Sequence, residues 1–403
     1  MNEPSAADSI PHSPPPYSLV STAADFQAMM ERLHAAPRLA IDMEADSLYH
    51  YFEKVCLIQI SSDWDTFILD PLALEDIPQL GPIIADPGVE KVFHAAGYDI
   101  YCLHRDYGFS FSGLFDTHIA AQLAGYEFLG LGVLMEKILG IHHSKRRQRD
   151  DWSRRPLADE QLEYAAMDTH YLLRLRDILE EELRGMGRLE WAREEFAAAA
   201  ANEKHEKEFD TEGFRRIKGY RDLQPQEQVA LRALYLMRDK AARQLNVPAF
   251  KVINNPVLVD LARRPPKAVQ ELFGRRGISY RVARHFGAAL LDALAAARLQ
   301  DSSILALPPR AGGGKPPPSR IAKRRFELLK RWRSGKAAEL KLNVGVIFPA
   351  NLLEVLAAEP PSDLEAFGAM PGMRQWRVRE FGAEILHVLR GGNGEPSTIV
   401  APE

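Results

Sequence analysis

Three short stretches set acidic side chains where they could hold a divalent cation. In Leu39-Ala-Ile-Asp-Met-Glu-Ala45 the run is apolar except for Asp42 and Glu44. Residues two apart on a strand face the same way, so these carboxylates converge, and their mutual repulsion calls for a neutralising cation. A solvated strand end is the bland alternative, because Asp-x-Glu is a common triplet in an acidic segment. The second stretch, His94-Ala-Ala-Gly-Tyr-Asp99, reads as a strand entering a helix that starts near Asp99. There the aspartate could equally be an N-cap. The third, Tyr164-Ala-Ala-Met-Asp168, puts a phenol and a carboxylate on one helix face. Leu162, Ala165, Ala166 and Leu172 bring that face close to the apolar side. Asp42, Glu44, Asp99 and Asp168, with Tyr164, fall in an order suited to a pair of divalent cations, an arrangement that serves in-line displacement at a phosphate.

A basic stretch leads into the third element. Between positions 142 and 155 lie Lys145, Arg146, Arg147, Arg149, Arg154 and Arg155, interrupted by Asp150, Asp151 and Trp152. Cationic side chains with an aromatic suit backbone phosphates and a stacked base, while a solvated loop is the plainer reading. A second basic run holds Arg320, Lys323, Arg324, Arg325, Lys330, Arg331 and Arg333, either a polyanion-facing helix or its wet side.

The elements that must carry these groups are legible from periodicity. Residues 39–44, Val55–Ser61, Thr66–Leu69 and 91–94 are short β-rich runs between turn signals. Residues 99–107, 116–124, 131–139 and a long stretch over 159–199 have helical spacing, the last opened by a capping Asp159. An α/β domain follows from that succession. Beyond position 210 the strand signal stops and a repeat begins: residues 241–247 resemble 338–344, and 256–266 resemble 351–361. Two copies of an all-helical domain of about 80 residues follow the α/β domain. The predicted organisation is a disordered tail over 1–16, the α/β domain over 17–205, helical domains over 212–298 and 319–392, a Pro/Gly-rich linker over 299–318 and a tail over 393–403.

The chain has 403 residues, too many for one compact core, and is 46% hydrophobic and 26% charged without an apolar run of membrane-spanning length. Its N-terminus has no apolar core of a signal peptide, and Cys56 and Cys102 are too few for a disulfide framework, so a cytoplasmic protein is expected. The net charge of −4 conceals an acidic first part. Residues 1–120 hold 18 Asp and Glu against 5 Lys and Arg. A cation site beside a polyanion-binding surface would show this asymmetry, as would ordinary surface variation.

Taken together the three acidic stretches resemble the DEDD exonuclease superfamily, whose ribonuclease H-like fold, a mixed β-sheet flanked by helices, holds two divalent cations on four acidic residues. Resemblance to the ribonuclease D family covers nearly the whole chain. It rests on Asp42-Met-Glu44, on 94–99, on Phe115-Asp-Thr117, on Asp151-Trp152 with Arg155-Pro-Leu157, and on Tyr164 to Asp168. The trailing repeats look like that family's HRDC domains: Leu245 to Phe250 with Pro265-Pro266 fits well, the second copy with Gly345 to Pro349 more loosely. Glu163 and Tyr164 place the chain in the tyrosine branch of the superfamily, and His170 falls after Asp168, where it cannot substitute. Met43 stands where that family usually has threonine.

The resemblance implies a 3′–5′ exoribonuclease. Asp42, Glu44, Asp99 and Asp168 would bind two Mg²⁺ or Mn²⁺, and Tyr164 would orient the attacking water. Lys145, Arg146, Arg147, Arg149, Trp152, Arg154 and Arg155 would grip nucleic acid. The substrate implied is RNA with a free 3′ end, with tRNA precursors foremost, and the chain is expected to act as a monomer without a membrane. A DNA exonuclease of the same superfamily would use the same carboxylates, although no polymerase or helicase segment accompanies them here. A non-catalytic binding protein would be expected to have lost a ligand, and none is lost.

Overall fold

A computed structural model describes residues 15–201, 209–305 and 319–390. The linker expected over 299–318 and both tails lie mostly or wholly outside these residues. Six strands form one sheet in the order β1-β4-β3-β2-β5-β6. They are β1 (Ser18–Val20), β2 (Arg38–Ala45), β3 (Val55–Ser61), β4 (Thr66–Leu69), β5 (Glu90–Phe93) and β6 (Leu114–Asp116). The β2–β3–β4 meander is antiparallel, and β1, β5 and β6 join by parallel pairing, which makes the sheet mixed. The three-residue strands β1 and β6 escaped the sequence reading because so short a run shows no alternation.

Both faces of the sheet are covered, so β3 and β4 are buried along their whole length. On one face Leu39, Ile41 and Met43 of β2 join Ile58, Ile60 and the helix α1 (Ala23–His34) in a common core. Helix α2 (Gly97–Tyr107) joins the same core through Ile100, Tyr101, Cys102 and Leu103. The other face takes α3 (Thr117–Ala124), α4 (Asp159–His170), α5 (Leu172–Gly185) and α6 (Leu189–Ala200). The stretch expected as one long helix is therefore three. Gly187 adopts a left-handed φ of 68° at the second break, a conformation glycine takes without steric cost. The N-cap of α4 is Ala158, with Asp159 already inside the first turn, because the Gln161 side chain accepts from the Ala158 amide and does the capping.

The helical domains differ from beads on a linker, because each docks on the sheet domain. Among the described residues the first is built on α7 (Pro225–Leu245), α8 (Asn255–Arg263) and α9 (Tyr280–Arg298). The Tyr51 hydroxyl donates to Asp239 at 2.6 Å, the Phe52 amide donates to Asn246, and Lys251 sits 3.9 Å over the Tyr49 ring. The second is built on α10 (Arg320–Leu340), α11 (Ala350–Ala358) and α12 (Gln375–Leu389). Trp376 stacks on Trp191 of α6 with ring centres 4.5 Å apart, and Glu194 and Glu195 meet Arg374, Arg377 and Arg379. Its core is continuous with that of α5 and α6.

Candidate active site

The C-terminal half of β2 carries Asp42 and Glu44 on one face, and Met43 between them points into the opposite core. Helix α4 lies across that face. Its Thr169 hydroxyl meets Ser61 at 2.7 Å, and His170 Nδ1 meets Thr66 at 2.8 Å, two tethers that set the helix on the sheet. With α4 so fixed, Asp168 comes down on the pair from β2. The carboxylate oxygens of Asp42, Glu44 and Asp168 approach within 4.8 Å of one another. His170 is spent on Thr66 and takes no part in that cluster.

Asp99 is buried at the third position of α2, too far inside the helix to cap it. Asp116 explains how the chain reaches that point. Its carboxylate accepts from the amides of Ala95, Ala96, His118 and Ile119, so one side chain caps α3 and holds the turn before α2. Asp99 stands outside the group of three at close range, near enough for its charge to act on Asp42 and Glu44.

Four carboxyls in one half-dry space disfavour ionisation. Burial, then the charges of Asp168, Asp99 and Glu44, push Asp42 well above the carboxylate range. Burial and the charges of Asp168 and Asp99 do the same to Glu44. Burial leads again at Asp99, which rises to about 7, and at Asp168, which is raised. Like charges gathered at this cost, with oxygen donors, fit a divalent cation. Asp168 adds a more direct sign. Its Oδ1 meets His143 Nε2 at 2.7 Å, while its buried Oδ2 has no partner among the described residues.

Tyr164 lies one turn before Asp168, its ring stacked 5.0 Å from that of His143. Burial and the charge of Asp168 raise its phenol beyond the free-tyrosine range, so it stays protonated. His143 is the residue that sequence reasoning passed over. It stood inside a run read for its cations, and only the fold shows that it turns inward, its side chain 5% exposed, while Lys145, Arg146 and Arg149 face solvent.

The basic stretch divides once its contacts are known. Lys145, Arg146 and Arg149 make no ion pair among the described residues and stay available to a polyanion. Arg147 is held by Asp150 and Glu160, and Arg154 by Asp151. Two residues of the expected grip are structural instead. Trp152 is 1% exposed among Cys56, Leu57, Ile68, Ala165 and Ala166, so its indole packs α4 on the sheet and has no face left for a base. Arg155 donates to both oxygens of Asp70 and to the carbonyls of Cys56 and Trp152, which ties the loop to β3 and the segment after β4.

Comparison with known proteins agrees with this arrangement. A 3′–5′ exonuclease profile matches residues 17–184, and an HRDC domain profile matches 227–294 and 322–389. Ribonuclease D of Gluconacetobacter diazotrophicus is 31% identical over 379 residues, 93% of each chain. Ribonuclease D of Granulibacter bethesdensis is 30% identical over 387 residues, 94% of this chain and 93% of that one. The catalytic core of RRP6 from Trypanosoma brucei superposes with a TM-score of 0.66 at 27% identity, over 70% of this chain and 80% of that one. Escherichia coli RNase D shares the fold at a TM-score of 0.66 and 23% identity, over 93% of this chain and 99% of its own. With acidic cluster, sheet and paired helical repeats all in place, the chain belongs to the ribonuclease D family of 3′–5′ exoribonucleases.

Proposed function

We propose that Asp42, Glu44, Asp99 and Asp168 hold two Mg²⁺ or Mn²⁺ and that Tyr164 orients the water that cleaves the terminal phosphodiester of RNA. The observation that carries this is that the Asp42, Glu44 and Asp168 carboxylates gather within 4.8 Å while Asp168 keeps one buried oxygen without a partner among the described residues. When bound, the cations supply charge neutralisation at the scissile phosphate and an acidified water. The chain's own residues do the rest. Tyr164 keeps its proton and offers a hydroxyl to a water placed against Asp168, its ring held by His143. His143 takes one oxygen of Asp168 and so leaves the other directed into the cluster, the orienting role that groups behind metal ligands commonly play. Lys145, Arg146 and Arg149 would receive backbone phosphates, since they are the solvent-facing cations of the loop that ends at α4 and have no ion pair among the described residues.

The products are nucleoside 5′-monophosphates released one at a time from a free 3′ end. Precursor tRNA is the proposed substrate, on the strength of the ribonuclease D relatives and of the two helical domains that flank the sheet. We place the reaction in the cytoplasm and assign it to a monomer. No helix of the described residues is long and apolar enough to cross a membrane. A test is to substitute Asp168→Ala. Hydrolysis of a labelled RNA oligomer should fall by at least about 10³-fold, in line with other variants that dismantle a catalytic unit. RNA affinity measured in chelator should stay within about twofold, because the binding cations are untouched. Wild-type turnover by this variant would refute the site.

A further inference from the structure

The face of β3 that α4 covers presents Leu57, Gln59 and Ser61 in succession. Leu57 packs with Ile68, Trp152 and Ala165. Ser61 bonds both Thr66 and Thr169. Gln59 lies between them, fully buried, and neither its amide nitrogen nor its amide oxygen has a partner among the described residues. A primary amide offers two donors and an acceptor, and leaving all of them unmet in a core works against folding. An apolar side chain of the same size would fill this position better, so packing does not account for the glutamine.

Its neighbours do. Across the antiparallel pair Gln59 is directly opposite Asp42, and on its other side directly opposite Ile68. Directly opposed residues share a face, with Cβ atoms about 4.5–5.5 Å apart. Gln59 therefore stands behind Asp42 on the cluster's own side of the sheet, with an apolar wall beyond it. We propose that Gln59 is a positioning residue for the cation site. Its side-chain amide donates to one oxygen of Asp42 once a divalent cation occupies the cluster, and so turns the other oxygen to the ion. The Asp42 carboxylate is then the partner that the buried amide does not find among its other neighbours. This inference rests on the proposed role of Asp42 as a cation ligand.

The test is thermal melting of the full chain in EDTA and across a Mg²⁺ titration, for wild type, Gln59→Leu, Gln59→Met and Asp42→Asn. Both Gln59 variants should melt in EDTA no lower than wild type, because an unpaired buried amide has been removed. The Mg²⁺ concentration at the midpoint of the melting-temperature rise should increase about tenfold or more in both, the usual scale for losing a group behind a metal ligand. The Mg²⁺ needed for half-maximal RNA hydrolysis should move by the same factor, with most of the turnover recovered at saturating Mg²⁺. Midpoints equal to wild type, or a shift in only one of the two variants, would overturn the inference and leave Gln59 a core residue. A wild type whose melting ignores Mg²⁺, or an Asp42→Asn variant that keeps the full shift, would overturn the cation site itself and this inference with it.

Discussion

The two oxygens of Asp168 have different surroundings: one is taken by His143, and the other is buried without a partner among the described residues. Replacing His143 with Leu should keep the fold and leave RNA affinity in chelator unchanged, while the Mg²⁺ requirement for hydrolysis rises about tenfold. An unchanged Mg²⁺ requirement would reduce the contact to packing. The raised carboxyls also give the site a signature in pH. Asp99 moves from an ordinary carboxylate value to about 7, so between about pH 4 and 7 the metal-free folded chain retains a proton that the unfolded chain has released. Its contribution to stability is therefore present at low pH and lost as pH rises through 7. Cations replace those protons, so the gap between melting temperatures in Mg²⁺ and in EDTA should widen from pH 5 to pH 8. A gap that stays constant across that range would contradict the shared-carboxylate picture.

At the scale of elements, the site is one strand with one helix laid across it. Asp42 and Glu44 were legible because alternation on a strand is a simple rule, and Tyr164 with Asp168 because four residues make a helical turn. Asp99 was harder, since the same position reads as an N-cap until Asp116 is seen to cap α3 and tie down the turn before α2. Trp152 and Arg155 were misjudged for a physical reason. Composition marks a loop as cationic and aromatic, but only tertiary contacts tell whether its side chains face the solvent or the sheet. Trp152 packs α4 on the sheet and Arg155 ties the loop to Asp70 and Cys56, so their loss should be felt as instability. Trp152→Ala should cost about 3–5 kcal/mol, the scale for emptying a large aromatic site, with little effect on RNA affinity measured well below the melting temperature. A tenfold loss of affinity at unchanged stability would restore Trp152 as a binding residue. Gln59 and His143 left no trace in periodicity, because an orphaned amide and an inward histidine are facts of three-dimensional contact.

The whole molecule adds the helical domains, whose repeat was plain in the sequence and whose docking was not. Trp191 reads as an ordinary apolar residue until Trp376, far down the chain, is found stacked on it. The two copies also differ where they meet solvent. Helix α10 exposes Lys323, Arg324, Lys330 and Arg331 with no ion pair among the described residues, whereas α7 of the first copy exposes Lys240 and holds Arg238 buried and Arg243 paired with Asp239. Changing those four cations to Glu should weaken binding to a folded tRNA. It should also flatten the salt dependence of binding, by up to about one slope unit for each phosphate that is no longer neutralised. Cleavage of a short unstructured oligomer should be unaffected. Equal salt slopes for the variant and the wild type on folded RNA would remove the second helical domain from the substrate path.

Hydrolysis of RNA from its 3′ end by the carboxylates of β2, α2 and α4 is tested most directly by one incubation. The purified chain is given 5′-labelled single-stranded RNA, or DNA of matching sequence, with Mg²⁺, Mn²⁺ or EDTA. We expect a ladder on RNA that shortens one nucleotide at a time from the 3′ end and is absent in EDTA. A ladder that persists in EDTA, or one that forms on DNA alone, would contradict that chemistry.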